Sequence, residues 1–210
     1  MKRLIVEGIT GSGKTTLLNC LKDKFSQWEE LNYLSLSQFY TNGLIYRKTD
    51  SSVEMECYHN LNKICDFIEY FDNGYDTYGT KDIKRRIVSV LECFHIENYA
   101  KGYMSNKALF KDLDDKMKNR GYKLIILYLP ENSVMERSII STSRYRNSEK
   151  WDNYLAALGK DVEEIKEYFI EIQNEILKWA DLSSMDKMII STEDMDWNTY
   201  VNDILKFLEG

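Results

Sequence analysis

The stretch Gly8-Ile9-Thr10-Gly11-Ser12-Gly13-Lys14-Thr15 constrains its surroundings more tightly than any other part of the chain. Glycines followed by lysine and threonine at G-x-x-x-x-G-K-T spacing make a loop whose backbone N–H groups wrap a polyphosphate, and such a loop works only between a strand and a helix. Both flanks comply. Residues 3–7 are a short apolar strand, and Lys14 to Phe25 repeats apolar residues at helical steps through Leu17, Leu18, Leu21 and Phe25.

The rest of the chain continues the alternation. A second strand is expected at Leu31 to Leu36, then a polar segment to Ser52 without periodicity. Val53 to Phe71 reads as a helix ended by Asn73-Gly74, and the run Ile87 to Leu91, closed by Glu92, reads as a strand covered on both faces. Glu97 to Arg120 is helical in pattern and capped by Gly121, before an apolar strand at Lys123 to Leu129. Pro130 opens a helix to about Ser141. A basic segment over 143–150 follows, then an amphipathic helix with Val162, Ile165, Phe169, Ile172, Ile176 and Trp179 on one face. A strand at Lys187 to Ser191 and a helix to Leu208 close the chain. Strands separated by helices require crossover connections, which give a parallel sheet with helices on both faces, a three-layer α/β fold in one domain over 1–210. In such sheets ligands sit beyond the carboxyl ends of the strands, where Gly8, Glu92, Pro130 and Ser191 emerge.

Composition narrows the function. A net charge of -6 argues against a protein that coats nucleic acid, a task that needs many Lys and Arg to neutralise phosphates. No apolar run approaches membrane-span length and no signal-peptide pattern opens the chain, so neither membrane nor export is expected and a cytoplasmic location follows. The cysteines Cys20, Cys57, Cys65 and Cys93 form no CxxC pair and read as reduced thiols, with the Cys57-Tyr58-His59 cluster read as helix packing rather than metal binding.

The glycine loop therefore predicts ATP and Mg²⁺ as the ligands. Gly8, Thr10, Gly11, Ser12, Gly13 and Thr16 would cradle the phosphates, with Lys14 reaching the β and γ groups and Thr15 offering its hydroxyl to magnesium. A carboxylate at a neighbouring strand end is needed to orient the metal's waters, and Glu92 is placed for it. Positions 9–12 hold no arginine, so the extra charge on a transferring phosphoryl group must come from Arg137, Arg144 and Arg146.

On VEGITGSGKTT at 6–16, VLECF at 90–94 and RYRNSE at 144–149, the chain resembles the thymidylate kinase and deoxynucleoside kinase branch of P-loop kinases. The resemblance implies a five-stranded parallel sheet in the order 2-3-1-4-5 and a lid over about 143–150 whose Arg144 and Arg146 close on the donor phosphates. It also implies an acceptor-side segment over about 37–73 and a tendency to form homodimers. The acceptor side departs from the pattern. Cys93 stands where both families place an arginine, and Ser37-Gln38 stand where nucleoside kinases carry a glutamate base. An acceptor phosphate needs alignment and charge more than a base, so the missing base favours a nucleoside monophosphate over a nucleoside. Arg47 falls near the position of an acceptor-phosphate arginine, and His95 follows the strand-end acid closely enough to act as base or acceptor contact. A kinase for a non-nucleotide small molecule and a non-catalytic ATP-binding module remain the alternatives.

Overall fold

The strand that leads into the glycine loop and the helix that leaves it are β1 (Lys2–Glu7) and α1 (Lys14–Phe25), in a computed structural model that describes residues 1–27, 32–37, 51–78 and 87–209. Then come β2 (Asn32–Leu36), α2 (Ser51–Tyr78), β3 (Ile87–Glu92), α3 (Ile96–Ala100) and α4 (Lys107–Asn119). After β4 (Lys123–Tyr128) and the single turn α5 (Glu131–Val134) lies a π-helical segment, Met135–Ser141. The chain ends with α6 (Thr142–Arg146), α7 (Glu149–Leu158), α8 (Val162–Leu182), β5 (Lys187–Ser191) and α9 (Trp197–Phe207).

All strand pairs are parallel, in the order β2-β3-β1-β4-β5. The strand period of two divides the side chains between two cores. Leu4, Val6, Val88, Val90, Ile125 and Leu127 face the α1 and α9 side, where Leu17, Leu21, Phe25, Val201 and Ile204 meet them. Ile5, Leu91, Leu124 and Ile126 face the other side, toward residues of α2, α3, α4 and α8 such as Leu61, Tyr99, Leu113 and Phe169. Phe25 and Leu21 are fully buried, and each such side chain contributes about 1.5–3 kcal/mol by leaving water. The register sets Val6 beside Glu92, which brings the glycine loop and the end of β3 to one edge of the molecule.

Three sequence expectations change. The helix over Glu97 to Arg120 is two helices, because Gly102 turns the backbone at φ 72° and the Asn106 side chain accepts the Ala108 N–H to start a new one. The helix expected to stop at Asn73-Gly74 runs on to Tyr78. The basic segment is regular: α6 ends at Arg146, Asn147 takes a left-handed φ of 39°, and the Ser148 hydroxyl caps α7 by accepting from Trp151 N. Most of the polar stretch after β2, Arg47 included, lies outside the described residues. All four cysteines are free thiols, as expected. No described helix is long and apolar enough to cross a membrane.

Candidate functional site

The loop is held by its carbonyls. Ser138 Oγ donates to Thr10 O at 2.6 Å, Arg137 Nη2 to Gly11 O at 3.1 Å, and Thr192 Oγ1 to Ser12 O at 2.9 Å. Arg137 also donates to Thr192 O at 3.1 Å, so the π-helical segment and the chain after β5 grip the loop together. In a trans peptide the following N–H points opposite to the carbonyl. The amides of Gly11 and Gly13 are thereby aimed away from the protein body, while that of Ser12 closes a turn onto Ile9 O. Gly13 caps α1 with no side-chain acceptor, and the first turn carries no acid, which leaves the helix N-terminus able to receive an anion.

Glycine is required by space as well as conformation at two positions. Gly11 has φ 81°, and a Cβ there would lie 2.5 Å from Arg137 O. Gly13 has φ 95°, and a Cβ there would lie 2.1 Å from Cη2 of Trp197, whose indole covers the turn.

Above the loop opens a cleft of about 470 Å³. Thr10, Gly11, Gly13, Lys14, Thr15 and Thr16 line its floor, and Glu92 reaches it from the end of β3. Arg137 and Arg146 also line it. The remaining expected residues stand elsewhere. Gly8 and Ser12 shape the loop from beneath: Ser12 is buried and Gly8 lies against Leu127. Arg144 is not among the lining residues; its side chain is 76% exposed and lies 3.7 Å from Glu136. His95, expected as base or acceptor contact, is instead enclosed in the core between Phe94 and Phe110, with Nε2 3.2 Å from Asp114 Oδ1. Burial favours the neutral form of Asp114, but His95, Ser183 Oγ and the Ser184 N–H outweigh it and bring its pKa down to about 2. The apolar surroundings of α4 and α8, invisible in ECFHIE alone, decide where that imidazole goes.

Sequence reasoning missed several wall residues. Trp197, Met195, Tyr145 and Thr142 line the cleft, and Ser138 and Thr192 strap the loop. A local signal existed for Trp197: Asp196 accepts from Thr199 N and so starts α9, which puts the indole on the helix's first residue. Nothing local says that this helix end meets Gly13.

Lys14 is 7% exposed and donates to Gly8 O and, at 3.1 Å, to Ile9 O. Burial works against its charge, but Cys93, Glu97 and Glu92 more than offset this and its pKa is raised. Behind it lies a second buried ionisable group. Glu7, fully enclosed at the end of β1, accepts the Phe94 N–H at 3.0 Å. Burial and Glu97 push its pKa up to about 8. Glu97 is held below the usual range despite burial, by Lys101, to which it is ion-paired, and by Lys14. Cys93, at φ 55°, has its thiol pushed well up by burial and Glu97. Arg137 is shifted down by burial.

The site thus offers uncapped amides, hydroxyls, a carboxylate and two guanidinium groups around one polar opening. No family model matches the chain. No curated protein matches it. Among solved structures, the chain is similar to the YorR protein from Bacillus subtilis in complex with phosphorylated GDP, with a TM-score of 0.57 at 15% identity, covering 98% of this chain and 95% of that one. It is also similar to shikimate kinase from Acinetobacter baumannii in complex with shikimate, with a TM-score of 0.52 at 13% identity, covering 99% and 92%. At such identities the likeness is one of architecture, and the chain has the P-loop kinase fold, five parallel strands in the order 2-3-1-4-5 between two helical layers.

Proposed function

We propose that the protein transfers the γ-phosphoryl group of ATP to a small acceptor, with a nucleoside monophosphate of the thymidylate kind as the leading candidate. The observation that carries this reading is the cleft itself, where the glycine loop, Glu92, Arg137 and Arg146 share one opening. Loop amides and the α1 N-terminus take the β and γ phosphates, and Lys14 turns from its loop carbonyls to join them. Thr15 and Glu92 supply hard oxygen donors to the same cleft, a set that fits Mg²⁺ and its waters. Bound there, the metal would neutralise charge on the bridging phosphate oxygens. Arg137 is fixed to the loop and Arg146 lies 4.1 Å from the centre of the Trp151 ring, so both guanidinium groups are at hand for charge that develops during transfer. The indole of Trp197 at the cleft wall offers a flat surface for the nucleobase of the donor.

A second reading, transfer to a hydroxyl of a non-nucleotide metabolite, is favoured by Cys93 and by the likeness in fold to a protein solved with shikimate. Formation of ADP, followed with ATP, Mg²⁺ and a panel of nucleoside monophosphates, nucleosides and shikimate, separates the two. Turnover with a monophosphate or a nucleoside supports transfer to a nucleotide-type acceptor, turnover with shikimate alone supports the second reading, and ADP release at the no-acceptor background for the whole panel rejects the first.

A further inference from the structure

Behind the cleft, Glu7, Cys93 and Glu97 form a wholly buried cluster whose donor atoms lie within 4.8 Å of one another. Its composition is that of a cation site, but the positive charge is already supplied. Lys101 of α3 is ion-paired to Glu97, and Lys14 of α1 acts on Glu7 and Glu97 alike. Cys93 at the end of β3 completes the titratable groups that act on Glu7 and Glu97 there, and Glu92 acts on Lys14 from the cleft.

Within the cluster Glu7 is distinctive. One carboxyl oxygen accepts the Phe94 N–H, and the other is buried without a hydrogen bond of good geometry, although the Glu97 backbone N–H acts on the same carboxyl. A buried carboxyl oxygen in that position has two ways to be satisfied. It can carry a proton and offer it to a neighbour in the cluster, Glu97 or Cys93, or it can take the ammonium of Lys14. The two are exclusive, and Lys14 is the group that must leave its resting carbonyls to meet a phosphate.

We propose that Glu7 is a positioning residue for Lys14: as the neutral acid it lets the ammonium swing to an incoming phosphate, and as the carboxylate it holds the ammonium inside the protein. The inference rests on the nucleotide-binding reading of the cleft and adds a pH-dependent brake to it. Burial and Glu97 push Glu7 up to about 8, so the neutral acid dominates at pH 7 and the carboxylate at pH 9. Over that window the other participants keep one charge state. Lys14 and Lys101 are raised, Glu97 is lowered, Cys93 is raised well above the usual thiol value, and a terminal phosphate loses its second proton at about pH 6.

The test is calorimetric titration of Mg-ATP into the intact protein, Glu7→Gln and Glu97→Gln at pH 7, 8 and 9, with thermal unfolding of each as a check on folding. If only the neutral-acid form binds, wild-type affinity falls about tenfold from pH 7 to pH 9. Glu7→Gln, uncharged at every pH, keeps its pH 7 affinity throughout. Glu97→Gln removes the neighbour that keeps Glu7 protonated, so its loss of affinity begins at lower pH. A Glu7→Gln protein with the wild-type slope overturns the proposal. If that variant does not fold, an unmoved midpoint in Glu97→Gln overturns it instead. Absence of binding heat in every protein at every pH removes the nucleotide reading as well, whereas binding with an unaltered slope removes the role of Glu7 alone.

Discussion

The two regions that line the cleft are built in opposite ways. The glycine loop is tied at three successive carbonyls, Thr10, Gly11 and Ser12, by partners from two distant parts of the chain. The arginine-bearing segment loosens along the chain: Arg137 is half-buried and bonded to the loop, while seven residues later Arg144, outside the cleft, is largely exposed and Tyr145 is 90% exposed. Preorganised donors cost nothing to orient when charge develops, whereas exposed arginines lose side-chain entropy when a ligand orders them. One region is therefore set for binding in advance, and the other is completed by what binds.

That contrast can be broken or sharpened by substitution. Lys14→Ala removes the charge proposed to meet the β and γ phosphates and is expected to lower the transfer rate about a hundred- to a thousandfold, read by steady-state ADP formation. Gly13→Ala sets a Cβ against the Trp197 indole at a φ of 95°. It should cost about 1–3 kcal/mol of stability in denaturant unfolding and abolish nucleotide binding, and a silent substitution would show the loop wall to be pliable. Arg146→Ala, within the cleft, should lower kcat about tenfold or more, and Arg144→Ala, outside it at rest, should lower it less. An equal loss in both would mean that Arg144 enters the cleft when ligand is bound. The smallest effect is expected from Ser138→Ala, which removes one strap to Thr10 O and about 1 kcal/mol of stability.

The parts of the molecule legible in the sequence were those with a short-range cause. The chain from β1 through the loop into α1 follows from glycine spacing and apolar periodicity, and α1 spans Lys14–Phe25 as read. The apolar runs of β3 and β4 follow from burial on both faces. Strand order came through family resemblance, since no run of residues states its neighbour in a parallel sheet. The unread features have long-range causes. The break at Gly102 depends on Asn106 capping α4, and the widened helix at Met135–Ser141 brings the adjacent residues Arg137 and Ser138 to the same loop. His95 was misplaced for the same reason, because Asp114 and Phe110, which retain it, lie on a different helix. Glu7 closes the strand read at 3–7, and its burial beside Cys93 and Glu97, far along the chain, likewise has a long-range cause.

The contact between Trp197 and Gly13 has a practical corollary. An indole resting on the turn proposed to receive a polyphosphate would be an intrinsic optical gauge of occupancy. Its emission should respond as the donor arrives, with no dye attached, and a Trp197→Phe control would subtract the signal of the chain's other three tryptophans, Trp28, Trp151 and Trp179.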